Sequence, residues 1–222
     1  MNSIRDMGTI NSTDMSEKVR MNYKKYGKRI IDIILSIILL VLLCIPSLII
    51  SVTILMEKNG KVIYKSERVG KNGRIFKIYK FRSMVEPNKQ NPKCTVTKVG
   101  KILRKTSLDE IPQFINVIKG DMSIVGPRPW IPEYYKYFDN EQKKRLSVLP
   151  GITGLAQVKG RNSINVLKKI EYDLLYIDNI SLLNDTKIVL KTIPTVLKKD
   201  EIGISEEGIE EEIKLLKGNL RK

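Results

Sequence analysis

The sequence predicts an α+β protein that is mostly helical, with a small β-hairpin, interfacial amphipathic helices and an N-terminal helix-break-helix that re-enters a membrane. Three features predict this fold: a long apolar run, basic residues on both sides of it, and short helical periodicities after it. The predicted segments are a mobile N-terminal extension (1–23), a re-entrant membrane hairpin (24–57), a cytoplasmic domain (58–199) and an acidic C-terminal tail (200–222).

The apolar run extends from Ile33 to Met56 and contains no charged residue. As one helix it would reach about 36 Å, which is enough to cross a hydrocarbon core of about 30 Å. Pro46 lies just past its middle, where the missing amide hydrogen and the ring cost a regular helix about 3 kcal/mol. We therefore predict a kink in the membrane helix at Pro46.

The charges beside this run predict its topology, because positive charge favours the cytoplasmic side of a membrane. Neither flank dominates, so a helix that enters, breaks and leaves by the same face satisfies both. A straight span with a tolerated proline is the alternative. The basic residues concerned are Lys24, Lys25, Lys28 and Arg29 before the run, and Lys58, Lys61, Lys65 and Arg68 after it.

Composition limits the chemistry that the chain can perform. There is no histidine, so catalysis would depend on carboxylates, Lys, Arg, Tyr or Ser. Cys44 and Cys94 provide neither a disulfide framework nor zinc spacing. The net charge is +16, and basic residues are concentrated between Glu57 and Lys105, where they suit anionic headgroups or a phosphorylated substrate. No nucleic-acid-binding motif is present, so we expect no nucleic-acid partner.

The cytoplasmic domain shows short elements. Two strands are predicted at Val62–Tyr64 and Ile75–Met84 about a turn at 70–73. Ser107 and Glu110 have the spacing of a capping box, and Gly120 ends the helix that follows. The remaining predictions are an amphipathic helix over 99–105, a charged helix that begins at Asp139, a turn and strand over 150–158, helices over 164–177 and 187–199, and a solvated or weakly helical tail.

Asp109 and Glu110 are the first candidates for chemistry. They lie at or just before a helix N-terminus, where most acidic pairs only complement the helix dipole. Arg104 stands nearby, and a carboxylate beside Arg stays ionised and can act as a nucleophile without a base. The pair is therefore a candidate catalytic site.

Two loops rich in glycine and proline are the second candidates. Arg128 stands between Pro127 and Pro129, where a stiff backbone could present its guanidinium to phosphate, although a plain rigid loop has the same composition. The segment 150–162 contains several glycines and Arg161 but lacks the spacing of known nucleotide-binding fingerprints.

Together these segments resemble the bacterial sugar transferases, the monotopic phosphoglycosyl transferases. The resemblance covers about residues 26–199 and depends on the hairpin with its proline and on the segments KIYKFRSM (77–84), RKTSLDEIPQFINVIKGDMSIVGPRP (104–129) and PGITGLAQVKGRN (150–162). It implies transfer of a sugar-1-phosphate from a UDP-sugar to undecaprenyl phosphate with Mg²⁺, at the cytoplasmic face of the bacterial inner membrane. The product would initiate a surface glycan such as capsule, exopolysaccharide, O-antigen or a glycoprotein glycan.

The resemblance also implies roles for individual residues. Asp109 would be the nucleophile that holds the phosphosugar, and Glu110 would share Mg²⁺ with it. The cations that would grip phosphates are Arg104, Arg128 and Arg161, and the further substrate contacts would be Lys80, Arg82, Gln157 and Asp173. The rival interpretation is a non-catalytic, membrane-anchored basic scaffold. The sugar, the glycan pathway and a homodimer stay open.

Overall fold

The computed structural model of the chain describes residues 12–57, 61–85, 94–160, 163–197 and 206–219. Helices make up most of it: α1 (Ser12–Asn22), α2 (Lys28–Leu42), α3 (Cys44–Met56), α4 (Lys98–Thr106), α5 (Gln113–Lys119), α6 (Pro132–Tyr135), α7 (Asn140–Lys143), α8 (Leu155–Lys159), α9 (Val166–Asp178), α10 (Leu182–Leu197) and α11 (Glu206–Asn219). The strands pair two by two: β1 (Ile63–Val69) with β2 (Ile75–Phe81), β3 (Met84–Val85) with β4 (Thr95–Val96), and β5 (Ser123–Val125) with β6 (Gly151–Thr153). The predicted mostly helical α+β class is confirmed.

Helices α2 and α3 form the predicted helix-break-helix, and the break lies at Leu43, three residues before Pro46. Pro46 is the third residue of α3, in the first turn, where an amide hydrogen has no intrahelical partner to lose. In a continuous helix its ring would meet the carbonyl of Leu42, four residues earlier. The chain therefore breaks just after Leu42, and the two helical segments diverge by 60°.

The outer surface of this hairpin is strongly apolar. Val41, Ile45, Leu48 and Met56 are 65–77% exposed, and none of them packs into the domain. Within the described ranges no single helix is both long and apolar enough to cross a membrane, whereas the bent pair Glu17–Leu42 and Cys44–Met56 has the required length and composition together. An exposed apolar surface of this kind is typical of contact with lipid or with another protein.

The N-terminal segment contains a helix that the sequence analysis did not predict. Residues 12–22 form α1, which continues through a π-helical turn at Tyr23–Gly27 into α2, whereas a mobile extension was expected over 1–23. Arg20 donates a hydrogen bond from Nε to the Ile180 carbonyl at 3.2 Å, which links α1 to the start of α10. Residues 1–11 lie outside the described residues.

A buried polar network holds the base of the hairpin to the domain. Asp185 on α10 is 5% exposed and accepts hydrogen bonds from Tyr23 at 2.6 Å, Lys28 at 2.6 Å and Tyr176 at 2.9 Å. Because a charged acceptor strengthens each hydrogen bond, the network fixes the start of α2 against α9 and α10.

Helix α5 is held at its middle and near its C-terminus. The Asn116 side chain, fully buried, donates to the Lys77 carbonyl at 2.8 Å and accepts from the Tyr79 amide at 3.0 Å, which locks α5 against β2. Arg29 on α2 donates to the carbonyls of Val117 at 2.7 Å and Ile118 at 3.1 Å, near the C-terminus of α5. The helix thus joins the hairpin base to the β1–β2 sheet, whose antiparallel pairing confirms the predicted β-hairpin.

The parallel pair β5–β6 brings the two glycine-rich segments side by side. A Cβ on Gly151 or Gly154 would overlap the backbone of Gly126, so only glycine permits this approach. The strand predicted over 150–158 ends at Thr153 and α8 follows it, because Gly154 lets the chain turn directly against the Gly126 carbonyl. The prediction of a strand is therefore wrong for residues 154–158.

The C-terminal half confirms the other predicted helices. Asp139 caps α7 in a capping box with Gln142. Helices α9 and α10 overlap the helices predicted over 164–177 and 187–199, of which residues 198 and 199 lie outside the described residues. The tail differs from its prediction: α11 is packed, and its Leu216 is fully buried in a cluster with Tyr134, Phe138, Val166 and Ile170.

Candidate active site

The two candidate acids line a cavity of about 450 Å³ between the β1–β2 sheet and the C-terminal helices. Its wall also includes basic residues from five separate parts of the chain, so the fold brings together groups that are far apart in sequence. The predicted site residues that line it are Lys80, Arg104, Asp109, Glu110, Arg128, Gln157 and Asp173.

The acidic pair lies on a 3₁₀ turn, Leu108–Glu110, between α4 and α5. Ser107 precedes it in the left-handed conformation, with φ of 55°, and its side chain makes no capping hydrogen bond. The predicted capping box is therefore wrong, because Ser107 ends α4 instead of starting the next helix. The acids still fall just before the N-terminus of α5, as predicted, and Gly120 ends that helix with φ of 91°.

Glu110 is the acid that carries the ion pairs. Its Oε1 accepts from Lys80 Nζ at 2.6 Å and from Arg128 at 3.1 Å. Burial opposes ionisation, but these two cations outweigh it and hold the pKa of Glu110 well below its usual value. Glu110 is therefore ionised and locks Arg128 and β2 to the acidic turn.

Asp109 has a different environment. It is 8% exposed, and its Oδ2 lies 3.9 Å from Lys80 Nζ. Burial, together with the charge of Glu110, raises the pKa of Asp109 to about 6 in spite of Lys80, Arg104 and Arg128. The sequence-based expectation of a fully ionised carboxylate thus needs correction: near neutral pH Asp109 is mostly ionised but close to its titration range.

Arg104 approaches the site from α4. Its Nε donates to Ser83 Oγ at 3.0 Å, and a second nitrogen lies 3.0 Å from Met84 Sδ. Gly100, one turn earlier, packs so closely on the Ser83 carbonyl that a Cβ there would overlap it. This close contact sets the position of α4 and turns Arg104 toward the cavity.

Asp173 lines the cavity, but its main partner is a residue that the sequence did not indicate. Arg145 donates to Asp173 Oδ2 from two nitrogens, at 2.6 and 3.0 Å, and both side chains are at most 2% exposed. Arg145 also donates to the Arg128 carbonyl at 2.8 Å and lies 4.1 Å from the centre of the Trp130 ring. This buried pair therefore supports the loop that presents Arg128.

Two predicted residues are not part of the described cavity wall. Arg82 donates to the Lys61 carbonyl at 2.8 Å and is absent from the cavity lining. Arg82 follows the last residue of β2, and its predicted substrate contact stays a prediction. Arg161 lies outside the described residues.

Other residues of the cavity were missed by the sequence analysis. Gln113 is 2% exposed, and its Nε2 has no hydrogen-bond partner in the part of the chain that the structure describes. The amide of Gln157, which the sequence analysis did name as a substrate contact, is likewise buried without such a partner. Arg68, assigned only to the basic flank, lines the cavity too, as do Lys169 and Trp130. A glutamine in a helix gives no sequence signal for such a role, since only the fold shows what surrounds it.

The donor set suits a divalent cation only in combination with a substrate. No group of three or more metal-ligating side chains occurs among the described residues, but Asp109 and Glu110 are adjacent carboxylates in one cavity. Mg²⁺ is commonly held by one or two carboxylates, with substrate phosphates and water completing its shell. The pair fits that mode and does not fit a site built from protein ligands alone.

Acids that are buried among arginine and lysine side chains have the chemistry that suits a ligand with phosphate groups. Comparison with known sequences agrees: the profile of the bacterial sugar transferase family matches residues 23–199. The chain belongs to the bacterial sugar transferase family.

Individual relatives align with most of the chain. The galactosyl transferase CpsE of Streptococcus agalactiae is 42% identical over 200 residues, which are 80% of this chain and 44% of that protein. The uncharacterized sugar transferase EpsL of Bacillus subtilis is 41% identical over 183 residues, 79% of this chain and 89% of that protein. The UDP-glucose:undecaprenyl-phosphate glucose-1-phosphate transferase of Klebsiella pneumoniae is 44% identical over 181 residues, which are 75% of this chain and 39% of that protein. The chain thus spans less than half the length of two of these relatives and most of the third.

Proposed function

We propose that this protein transfers a sugar-1-phosphate from a UDP-sugar to undecaprenyl phosphate and so begins the synthesis of a surface glycan. The observation that carries the proposal is the single cavity that contains Asp109 and Glu110 together with Lys80, Arg104 and Arg128. A donor with two phosphates needs cations to offset its charge, and this cavity supplies them. A non-catalytic scaffold would have no need for buried acids among them.

In the proposed first half-reaction, an Asp109 carboxylate oxygen attacks the phosphorus that bears the sugar. An oxygen–phosphorus bond forms, the bond to the bridging oxygen breaks, and uridine monophosphate leaves with the electron pair of that bond. In the second half-reaction a phosphate oxygen of undecaprenyl phosphate attacks the same phosphorus and releases Asp109. The barrier to attack by an anion on a phosphate is mainly electrostatic, so charge compensation by Lys80, Arg104 and Arg128 matters most.

Asp109 and Glu110 would have different roles. Glu110 is engaged with Lys80 and Arg128 and orients them, whereas Asp109 makes no short hydrogen bond of this kind and faces the cavity. Mg²⁺ would be held by these two carboxylates with donor phosphates and would neutralise their charge.

The hairpin would bring the site to the lipid. We infer that α2 and α3 enter the cytoplasmic leaflet and return on the same side, which suits their exposed apolar surface and basic flanks. Arg29 at the hairpin base binds the C-terminal end of α5, and the acidic turn precedes the other end of this helix, about 10 Å away. A site at that distance from the membrane segment can meet both a soluble donor and a lipid phosphate headgroup.

The decisive experiment traps the covalent intermediate. Purified protein is incubated with a UDP-sugar labelled in the phosphate next to the sugar, without acceptor. We expect release of uridine monophosphate and an acid- or hydroxylamine-labile label on the protein, both of which disappear in Asp109→Asn. Asp178→Asn, an exposed change on α9, is the control. Labelling that persists in Asp109→Asn would falsify the nucleophile assignment, and no nucleotide release from a panel of donors would contradict the activity.

A further inference from the structure

Helix α11 contributes to the candidate active site although it lies beyond the segment matched by the family profile, which ends at residue 199. Ile209 and Glu212 on this helix line the same cavity as Asp109. The C-terminal segment is therefore part of the cavity wall and not only a packed appendage.

The apolar side of α11 fixes the helix in place. Ile209, Ile213 and Leu216 are spaced by four and three residues, so they share one helix face. Leu216 is fully buried in the cluster that contains Tyr134 and Val166, and Ile209 and Ile213 pack against that cluster. Burial of these apolar side chains holds the helix on its support.

Glu212 ties the helix to the polar wall. Its Oε1 accepts from Lys169 at 2.6 Å and its Oε2 accepts from the Tyr134 hydroxyl at 2.6 Å, and all three residues line the cavity. Lys169 lies one helical turn before Asp173 on α9, and Asp173 pairs with Arg145, which supports the Arg128 loop. The side chains of Glu212, Lys169, Asp173 and Arg145 thus follow one another from α11 towards the Arg128 loop.

The polar atoms in this cavity indicate what α11 helps to enclose. Gln113 Nε2, both polar atoms of the Gln157 amide and Asp173 Oδ1 are buried without a hydrogen-bond partner among the described residues. Buried polar atoms without a partner are destabilising, and neutral amides suit hydroxyl or carbonyl groups better than phosphates. These groups match the uncharged part of a nucleotide sugar, its sugar or its nucleoside.

We propose that α11 is a wall of the donor pocket, and that Ile209 and Glu212 determine how tightly the uncharged part of the nucleotide sugar binds. Ile209 limits the width of the pocket, and Glu212 is a positioning residue that holds Lys169 and Tyr134. The proposal rests on the proposed function, since the donor is the UDP-sugar assigned there.

Two pairs of full-length variants test the proposal. Ile209→Phe narrows the pocket, and Leu215→Phe makes the same kind of change at a position on α11 that is 46% exposed. Glu212→Gln removes the charge that holds Lys169, and Glu211→Gln removes a charge from the adjacent exposed residue. Each variant is measured for nucleotide release with UDP-glucose and UDP-N-acetylgalactosamine. Donor binding is followed by fluorescence of Trp130, the only tryptophan of the sequence, which lines the cavity.

We expect Ile209→Phe and Glu212→Gln to raise KM for at least one donor about tenfold. A misfit of about one methylene in an apolar pocket has an effect of that order, and so does the loss of one hydrogen bond to a charged group. The value of kcat should change less than about twofold, since the reacting atoms are untouched. The two control variants should match the wild type. Trp130 titration should show the same loss of affinity for the nucleotide sugar.

The outcomes separate this inference from the proposed function. If the wild type releases uridine monophosphate and both cavity variants keep its KM, the inference is overturned and the activity stands. A fall in kcat at unchanged KM would also overturn it. If the wild type releases no nucleotide from any donor, the activity fails, and the fluorescence titration alone decides: quenching by UDP-glucose that weakens in Ile209→Phe supports the pocket wall, and no quenching overturns it.

Discussion

At the scale of single residues, two neighbouring carboxylates of the site differ in pKa because their surroundings differ. Glu110 takes the short contacts with Lys80 and Arg128, and its pKa falls well below the usual range. Asp109, buried beside that negative charge, has its pKa raised to about 6. Acids whose pKa values are driven apart serve different roles, which supports Glu110 as the organiser and Asp109 as the reacting group.

The buried pair of Asp173 and Arg145 allows a stability prediction. Asp173→Asn would leave the Arg145 guanidinium, 1% exposed, without a compensating charge. We expect a loss of about 3–5 kcal/mol in the free energy of unfolding, because an unpaired buried charge is the costliest product of such a change. Thermal and urea unfolding of the solubilised protein would measure it, with Asp178→Asn on the exposed side of α9 as the control. Unchanged stability with a higher donor KM would instead make Asp173 mainly a substrate contact.

At the scale of elements, two helical glycines make a matched comparison. Glycine to alanine normally stabilises a helix by about 1 kcal/mol. At Gly218 on α11 the added methyl meets nothing within 4 Å, so we expect a gain of that order. At Gly100 on α4 it would overlap the Ser83 carbonyl, and overpacking of this kind costs about 1–3 kcal/mol. Unfolding midpoints should therefore move in opposite directions, and two equal shifts would contradict the close α4 contact.

The elements also show how far sequence reasoning reaches. Local signals were reliable where they decide the structure alone, as in the charged helix predicted from Asp139 and the glycine predicted to end α5. They failed where a distant contact decides. Ser107 has the spacing of a cap but ends α4. The acidic composition of the tail predicted a solvated end, whereas the apolar face of α11 is buried by packing against the cluster that contains Tyr134 and Val166. The acids and most of the phosphate-binding cations were predictable, whereas Gln113 and Arg145 depend on tertiary packing.

At the scale of the whole molecule, the hairpin and the catalytic domain form one structural unit. Asp185 gathers Tyr23, Lys28 and Tyr176 at the hairpin base, and Arg29 binds the end of α5. Neither link is a flexible tether, so in the proposed membrane arrangement the depth of the hairpin would also set the distance of Asp109 from the headgroups. This coupling explains why a transferase with a lipid substrate would need a rigid anchor.

The topology of that anchor can be tested directly. Helix α3 has 13 residues and reaches only about 20 Å, less than a hydrocarbon core of about 30 Å, so the bent pair should return to the side that it entered. Single cysteines at Asn22 and Lys61, in a chain with Cys44→Ser and Cys94→Ser, flank the hairpin. We expect a membrane-impermeant maleimide to label both from the cytoplasmic side only, with Lys136→Cys in the domain as the reference. Labelling of the two positions from opposite sides would show a spanning helix, and the domain would then be attached to the membrane by a different geometry.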